Sequence, residues 1–322
     1  MKNNNWNYVP VDITAIMGVV DTTVRWSNTQ GPPRTYTSYH PSELGKCLRA
    51  MQYKLYEALG LIKIEKEAFD SKLLRLFGKG HNMHARWTNY FRDAGVLRGY
   101  WRCVNPTCSA GRNKHGNWYG QDKLLGDMKP QKCDCGSDHF DYEELVVKNE
   151  ELNVYGHSDM VLDFSNFDIS KYLNSNIELG FIKDDLPKKP VVVDMKTIND
   201  RGFSEILRNG PHFAYQIQLN VYANILDCEY GLSIYENKND SRLASFKIEK
   251  NTETVFVEIQ KQLTLMNQMV QSKILPPPRP IYQDSYECRY CPFSKICLKS
   301  AIWDKKNLKD LRNKFYGGLL QK

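Results

Sequence analysis

The chain has 322 residues, of which 41% are hydrophobic, so it is long and apolar enough for one large domain or two smaller ones. Lysine and arginine number 44 against 37 aspartate and glutamate residues, and the resulting net charge of +7 favours a polyanionic partner. The chain begins without the basic and then apolar layout of a secretory signal, and it contains no apolar run of about 18 residues, so we expect a cytoplasmic protein with no membrane partner.

The N-terminal part of the chain is predicted to be an extended, polar arm followed by two helices. The first helix covers residues 41–60, with Ser42 as its N-cap, a stripe of apolar residues along one face and Gly60 at its end. The second helix covers residues 71–95. A cysteine-bearing segment without clean periodicity follows it.

Strands and helices alternate in the second half of the chain. The predicted order is a strand at 153–164, a polar excursion, a strand at 190–198, a helix at 211–227, strands at 231–236 and 242–249, and a helix at 252–274 that Pro276–Pro278 end. These elements divide the chain into an arm at 1–41, a helical region at 42–97, an insert at 98–141, a core at 142–275 and a C-terminal region with a terminal helix at 276–322.

The nine cysteines indicate metal ligation rather than disulfides, because the cytosol keeps thiols reduced. Eight of them cluster or pair by spacing. The ninth, Cys228, follows an apolar helical run and is predicted to be an ordinary buried thiol.

Two predicted core strands end in charged residues. Asp194 and Lys196 lie two positions apart at the end of an apolar strand, so their side chains leave the same face, and Asp159 lies on the preceding strand. Two carboxylates on adjacent strands suit Mg²⁺ or Mn²⁺, and a lysine beside them can hold a water and offset charge on a phosphate. A surface ion pair is the alternative, but buried strands seldom end in unpaired charge.

Two helices contribute further polar candidates. His84 shares a helix face with large aromatic residues, whereas His81 is rotated away from it, and we expect Gly80 to thin the helix for close packing. Gln218 and Tyr222 lie at i and i+4, hence on one face, where they could orient a phosphate or a base. The alternatives are a core histidine and a helix face at the boundary between core and solvent.

The order of these motifs resembles the RecB-type PD-(D/E)XK nucleases, in which Gly-x3-His, Gly-x2-Asp, Asp-x-Lys and Gln-x3-Tyr follow one another. The matching pairs here are Gly80 with His84, Gly156 with Asp159, Asp194 with Lys196, and Gln218 with Tyr222. The resemblance covers roughly residues 42–300 without the insert. It implies an α/β fold with a restriction-endonuclease-like core, a mixed central sheet flanked by helices, and metal-dependent DNA exonuclease activity on single-stranded ends.

The resemblance also implies a role for each residue. His84, Asp159, Asp194 and the Met195 carbonyl would bind Mg²⁺ or Mn²⁺, Lys196 would position the attacking water, and Gln218 and Tyr222 would hold the DNA. The alternative is a non-catalytic DNA-binding subunit of a recombination or replication complex. The intact Asp159, Asp194 and Lys196 argue against it, because a lapsed site would be expected to lose one of them.

One branch of this family, with the AddB nuclease domain and the CRISPR-associated exonucleases, carries a [4Fe-4S] cluster. Its ligands are one cysteine before the core and a C-x2-C-x5-C set after it, which correspond here to Cys47 and to Cys288, Cys291 and Cys297. Such a cluster would close a loop of about 240 residues and so restrict the unfolded chain. Zinc on the same four thiolates is the rival interpretation.

The insert carries the other four clustered cysteines. Cys103, Cys108, Cys133 and Cys135 have C-x4-C and C-x-C spacing and resemble a zinc ribbon or knuckle, although His115 or His139 could replace one thiol. Aromatic and basic residues of the insert would bind single-stranded nucleic acid or form a protein-docking surface. These residues are Arg98, Trp101, Arg102, Arg112, Lys114, Trp118 and Tyr119.

Overall fold

The computed structural model describes residues 14–30, 36–64, 68–108, 117–173, 180, 183–277 and 286–299. Its centre is a mixed sheet of seven strands with helices packed around it, and a separate two-stranded hairpin lies beside the sheet. The predicted α/β class with a mixed central sheet is therefore confirmed. None of the described helices combines the length and apolar character needed to cross a membrane.

The described strands and helices follow in this order. The strands are β1 Leu97–Cys103, β2 Asp127–Met128, β3 Phe140–Glu143, β4 Val146–Asn149, β5 Val154–His157, β6 Met160–Leu162, β7 Val191–Ile198, β8 Tyr230–Asn237 and β9 Leu243–Glu249. The helices are α1 Thr14–Gln30, α2 Pro41–Leu44, α3 Leu48–Ala58, α4 Ser71–Ala94, α5 Ser170–Leu173, α6 Asp200–Asn209, α7 Phe213–Ile225, α8 Val257–Gln271, α9 Tyr286–Arg289 and α10 Ser294–Lys299.

β7 is the central strand of the sheet. It pairs antiparallel with β6 on one side and parallel with β8 on the other, and the crossover to β8 carries α6 and α7. The first five residues of β7 are all buried, as expected for a strand covered on both faces. Most of β1 falls in the range expected to form the insert. Leu97 nevertheless pairs with Leu162 of β6, so this strand belongs to the central sheet.

Helix α4 is fixed to the sheet by a polar clamp. The carboxylate of Asp70 caps its N-terminus by accepting a hydrogen bond from the Leu73 amide. Further along, Arg86 donates to both oxygens of Glu236 at 2.5 Å, and the Trp87 indole donates to the same carboxylate at 2.7 Å. Because Glu236 lies on β8, the clamp sets the position of the middle of α4 over the sheet.

The N-terminal region differs from the sequence-based expectation in two ways. Residues 14–30, predicted to be part of an extended arm, form α1, which packs against α4 through an ion pair between Asp21 and Arg75. Its many β-branched residues have low helix propensity, so tertiary contact rather than local sequence stabilises it. The helix predicted at 41–60 is two helices, and α2 begins at Pro41 after His40, so Ser42 is not its N-cap.

Close packing at glycine explains the break between α2 and α3. A Cβ atom on Gly45 would lie 2.4 Å from Ala214 Cα at the start of α7, and a Cβ on Gly156 would lie 2.9 Å from Pro41 Cδ. Gly78 and Gly80 of α4, by contrast, have no neighbouring atom within 4 Å of such a Cβ. The expectation that Gly80 allows close helix packing is therefore wrong.

We predict that Gly45→Ala destabilises the protein by about 1–3 kcal/mol, because the added methyl group must push α2 away from α7. Gly78→Ala is the matched control. It lies in open space inside a helix, so it should raise the free energy of unfolding by about 0.5–1 kcal/mol. Urea unfolding of both variants measures the two effects, and equal stability of Gly45→Ala and the parent chain would contradict this packing.

Candidate active site

Asp159 and Asp194 face each other across two neighbouring strands. The ladder between β6 and β7 places Met160 opposite Val193, so the next position in register sets Asp159 opposite Asp194. Directly opposed residues of an antiparallel pair project from the same face with Cβ atoms about 5 Å apart. The Met195 amide also donates a hydrogen bond of 3.1 Å to Asp159 Oδ2, which orients this carboxylate towards β7.

Asp194 is fully buried, and its two carboxylate oxygens differ in their hydrogen bonds. Oδ1 accepts hydrogen bonds from Lys196 Nζ at 2.6 Å and from Gln218 Nε2 at 3.2 Å. Oδ2 has no hydrogen-bond partner among the described residues, although it is buried. A buried carboxylate oxygen without a hydrogen-bond partner costs free energy unless another group binds it.

The electrostatics of this pair follow from its burial. Burial raises the pKa of Asp194 to about 7; the Lys196 charge opposes that shift and the neighbouring Asp159 charge adds to it. For Lys196, burial works to lower the pKa, but the negative charges of Asp194 and Asp159 outweigh it and raise the pKa above its ordinary value. Lys196 is therefore a cation at neutral pH, and its Nζ also lies 5.0 Å from the centre of the Tyr215 ring.

Helix α4 brings a histidine to the same place. His84 Nδ1 lies 3.5 Å from Asp159 Oδ2, and two-thirds of the His84 side chain is covered. His81, one turn earlier, is exposed. The clamp of Arg86 and Trp87 on Glu236 begins two residues after His84 and holds this part of the helix in position.

Gln218 and Tyr222 lie beneath the carboxylates rather than at the surface. Both are buried in α7, where Gln218 Nε2 donates to Asp194 Oδ1 and to the Tyr222 hydroxyl oxygen, each at 3.2 Å. Tyr222 in turn donates to the His157 carbonyl at 2.8 Å. In this structure the Gln218 amide nitrogen and the Tyr222 hydroxyl therefore bond inside the site, while Gln218 Oε1 is buried without a hydrogen-bond partner among the described residues.

Glu144 is a site residue that sequence reasoning missed. It directly follows β3 and its side chain is exposed to solvent. The protein atoms packed around it raise its pKa, and the neighbouring Asp159 charge raises it further. Only the pairing register of the hairpin brings these two acids together, and the local sequence "DYEELVV" contains no motif that signals it.

The four insert cysteines form a compact group. All of their sulfur atoms lie within 4.8 Å of one another, with Cys103 and Cys135 at 3.7 Å and Cys108 and Cys133 at 4.0 Å. A tetrahedral zinc ion with Zn–S bonds of about 2.3 Å spaces its sulfurs at about 3.8 Å. A histidine ligand is not needed to complete the group; His139 is 82% exposed and faces Asp138, and His115 lies outside the described residues.

Several insert residues expected to contact nucleic acid have structural roles instead. Arg98 forms an ion pair of 2.8 Å with the buried carboxylate of Asp163, and Trp101 is fully buried with its indole donating to the Asp127 carbonyl. Tyr119 is largely covered, and its hydroxyl accepts from the Asp134 amide. Arg112 and Lys114 lie outside the described residues. Arg102 remains exposed and lies over the Trp118 ring at 5.7 Å.

The four cysteines of the second set lie within electrostatic range of one another, but they form no compact group like that of the insert. Burial raises the pKa values of Cys291 and Cys297, and the neighbouring Cys47 and Cys288 thiols raise both further. The segment that carries the last three of these cysteines is attached to α3, where Phe293 stacks on Tyr53 with ring centres 5.2 Å apart. Cys228, by contrast, is buried away from both sets, and burial raises its pKa to about 12.

Lys46 lies beside the second cysteine set and within electrostatic range of Lys196. It precedes Cys47 in the turn that Gly45 packs against α7. Burial lowers its pKa, and the positive charges of Lys54 and Lys196 lower it further against the opposing charge of Glu43.

No family model matches the chain, and no curated protein sequence matches it. Among solved structures, the crystal structure of SSO0001 is 14% identical with a TM-score of 0.40, and the match covers 88% of this chain and 96% of the other. An alkaline exonuclease (LHK-Exo) from Laribacter hongkongensis is 11% identical with a TM-score of 0.40, covering 74% of this chain and 90% of its own. Neither similarity is high enough to assign an activity, so the functional argument depends on the site itself.

Proposed function

We propose that the protein is a metal-dependent deoxyribonuclease that removes nucleotides from single-stranded DNA ends in recombination, repair or replication. The observation that carries this proposal is the Asp194 carboxylate. It is fully buried and tied to Lys196 through one oxygen, while the other oxygen lacks a hydrogen-bond partner among the described residues and Asp159 lies alongside. This arrangement supports a site for a divalent cation and a phosphate.

The chemistry of the donor set suits Mg²⁺ or Mn²⁺, although the ligand atoms of His84, Asp159 and Asp194 form no group as compact as that of the insert cysteines. Asp159 and Asp194 offer carboxylate oxygens and His84 offers a ring nitrogen, and the Met195 carbonyl is the further ligand that we propose. When bound there, the cation supplies positive charge to the phosphate and lowers the pKa of the attacking water. The Met195 amide and Gln218 hold the two carboxylates in place for this purpose.

Lys196 acts as a cation in this proposal, not as the base. In the hydrolysis the water oxygen forms a bond to phosphorus and releases its proton to bulk solvent, while the bond to the leaving sugar oxygen breaks and that oxygen takes a proton from solvent. The charged Lys196 ammonium donates hydrogen bonds to the water and to the phosphate oxygens, where negative charge increases. A raised pKa favours this role, because the ammonium stays protonated at neutral pH.

The two cysteine sets support different metal centres. The compact group of Cys103, Cys108, Cys133 and Cys135 fits a single zinc ion. The set of Cys47, Cys288, Cys291 and Cys297 forms no group of that compactness within the described residues, although the thiols raise one another's pKa values. A cluster of four irons is larger than one ion and separates its sulfur ligands further, which favours [4Fe-4S] at this set.

Catalysis should depend on Asp194. We expect Asp194→Asn to lower cleavage of labelled single-stranded DNA in Mg²⁺ or Mn²⁺ by at least about a hundredfold, because the cation loses a charged ligand. DNA binding measured in Ca²⁺ should persist. The control is Asp93→Asn, which removes an exposed carboxylate far along α4 and should cleave at the parent rate. Parent activity in Asp194→Asn would contradict the proposed site, and a parent chain inactive in every metal would indicate the non-catalytic DNA-binding alternative.

The stability of the protein should depend on pH through Asp194. Its pKa is about 7 in the folded chain against an ordinary value of 3.8, so the folded state retains a proton that the unfolded state loses. Without added divalent cations, the free energy of unfolding of Asp194→Asn minus that of the parent chain should therefore increase as pH rises from about 4 to about 7. Above about pH 7 this difference should stay constant. Each pKa unit corresponds to about 1.4 kcal/mol. Urea titrations of both proteins measure this difference, and a difference independent of pH would contradict the burial argument.

The two cysteine sets should lose their metals independently. We expect Cys47→Ser to lose iron and the visible absorbance of the cluster while keeping zinc, and Cys108→Ser to lose zinc while keeping iron. Cys228→Ala, which touches neither set, is the control and should keep both metals. Elemental analysis and absorbance spectra test these outcomes. Zinc in both sets would contradict the iron–sulfur assignment, and iron retained in Cys47→Ser would exclude Cys47 as a ligand.

A further inference from the structure

We propose that the N-terminal half of α4 binds the unpaired bases of the DNA strand that enters the cation site. The surface involved, called the α4 surface below, consists of Lys72, Leu76, Phe77, Lys79 and Gly80. This inference rests on the proposed function, because it names the part of the protein that guides the strand to that site.

One face of α4 changes its surroundings along the helix. In the C-terminal half this face packs on the sheet, where Met83 is buried and Trp87 and Phe91 pack against the same core cluster. In the N-terminal half the equivalent positions remain in solvent, since Phe77 is 43% exposed and Leu76 is 48% exposed. An apolar face that continues after its core contact ends is typical of a surface that binds another molecule.

The exposed face leads directly to His84. Gly80 lies four residues before His84 and Phe77 lies seven residues before it, so the three share one face of the helix. At 1.5 Å per residue, Phe77 is about 10 Å from His84 along the helix axis. Because His84 Nδ1 is 3.5 Å from Asp159 Oδ2, the nucleotides next to a phosphate held at the cation site lie within reach of Phe77.

Gly80 leaves room for a strand along this face. A Cβ atom on Gly80 would have no described atom within 4 Å, so packing inside the protein does not require glycine at this position. Glycine in a helix interior is less stable than alanine. The missing side chain does, however, allow the backbone of another molecule to approach the helix closely between Phe77 and His84.

The charge of α4 suits a polyanion. The helix carries five lysine and arginine residues against one acidic residue, Asp93 in its last turn. Its three arginines form ion pairs within the protein, whereas Lys72 and Lys79 form none with the described residues. Both lysines are exposed and lie at i−4 and i+3 from Leu76, hence beside the apolar face. Their ammonium groups can contact phosphates while Leu76 and Phe77 contact bases.

An unpaired strand fits this combination better than a duplex does. Aromatic rings stack on the faces of unpaired bases, and in a duplex the neighbouring base pairs cover those faces. The Phe77 ring is held in place by Phe69, with ring centres 5.6 Å apart and an angle of 87° between the ring planes. A ring that is fixed and still exposed loses little conformational entropy when a base stacks on it.

The test measures binding of a short labelled oligothymidylate to the full chain in Ca²⁺ by fluorescence anisotropy. We expect Phe77→Ala to weaken binding by about tenfold, the factor that stacking of one base contributes, and Phe77→Trp to bind at least as tightly as the parent chain. The matched control is Tyr90→Ala, which removes another exposed aromatic ring from a different face of the same helix. It should bind like the parent chain.

Salt dependence and a duplex test the two parts of the surface separately. The double variant Lys72→Ala with Lys79→Ala should lower the slope of log affinity against log salt by about 0.7 per lysine. Lys261→Ala removes an exposed lysine of α8 and should leave this slope unchanged. Phe77→Ala should bind a blunt duplex as tightly as the parent chain does, because paired bases cannot stack on the ring.

The outcomes separate this inference from the proposed function. Equal affinity of Phe77→Ala and the parent chain for the oligothymidylate would contradict the inference and indicate a protein partner for the α4 surface. An equal loss of affinity for oligothymidylate and duplex, or an unchanged salt slope in the lysine variant, would also contradict it. If Phe77→Ala binds normally while Asp194→Asn loses cleavage, the proposed function stands without the α4 surface. If Phe77→Ala loses affinity while the parent chain cleaves no DNA in any metal, the α4 surface stands and the proposed function fails.

Discussion

The site depends on a carboxylate that has been taken out of water. Asp194 lies in the central strand of the sheet with no exposed surface, and a buried charge without compensation costs several kcal/mol. Lys196 and Gln218 compensate one of its oxygens and leave the other beside Asp159. The same burial that makes this arrangement unfavourable without a cation would give a divalent cation a strong attraction to the proposed site.

The surrounding fold holds that carboxylate and its neighbours in position. Glu236 clamps α4 so that His84 approaches Asp159, and α7 supplies the amide that binds Asp194. Gly45 lets the turn before Cys47 pack on the first residues of α7. A metal centre at Cys47 would thus stabilise the contact through which the helix beneath the carboxylates is held, and would then have a structural role in the proposed enzyme without any redox step.

Much of this site could be predicted from the sequence, because its motifs are local. Asp194 and Lys196 lie two apart on an apolar strand, so periodicity places both side chains on one face. His84 lies on the apolar face of a long helix, but a core histidine has the same pattern, and only the order of the motifs favoured a role in the site. Glu144 could not be found in this way, because its partner depends on the register of a hairpin. The structural roles of Arg98 and Gln218 were equally hidden, since a polar residue that binds a buried carboxylate has the same sequence pattern as one that binds phosphate. Helix α1 was missed because its stability comes from α4 rather than from its own residues.

The most direct test of this account is anomalous diffraction from crystals of the protein soaked with Mn²⁺. We expect a Mn²⁺ peak between Asp159 and Asp194, close to a carboxylate oxygen of each and to the ring nitrogen of His84. The fully buried Oδ2 of Asp194 should be one of the bonded atoms. Mn²⁺ peaks confined to other parts of the molecule, with the Asp194 oxygen left without a ligand, would contradict it.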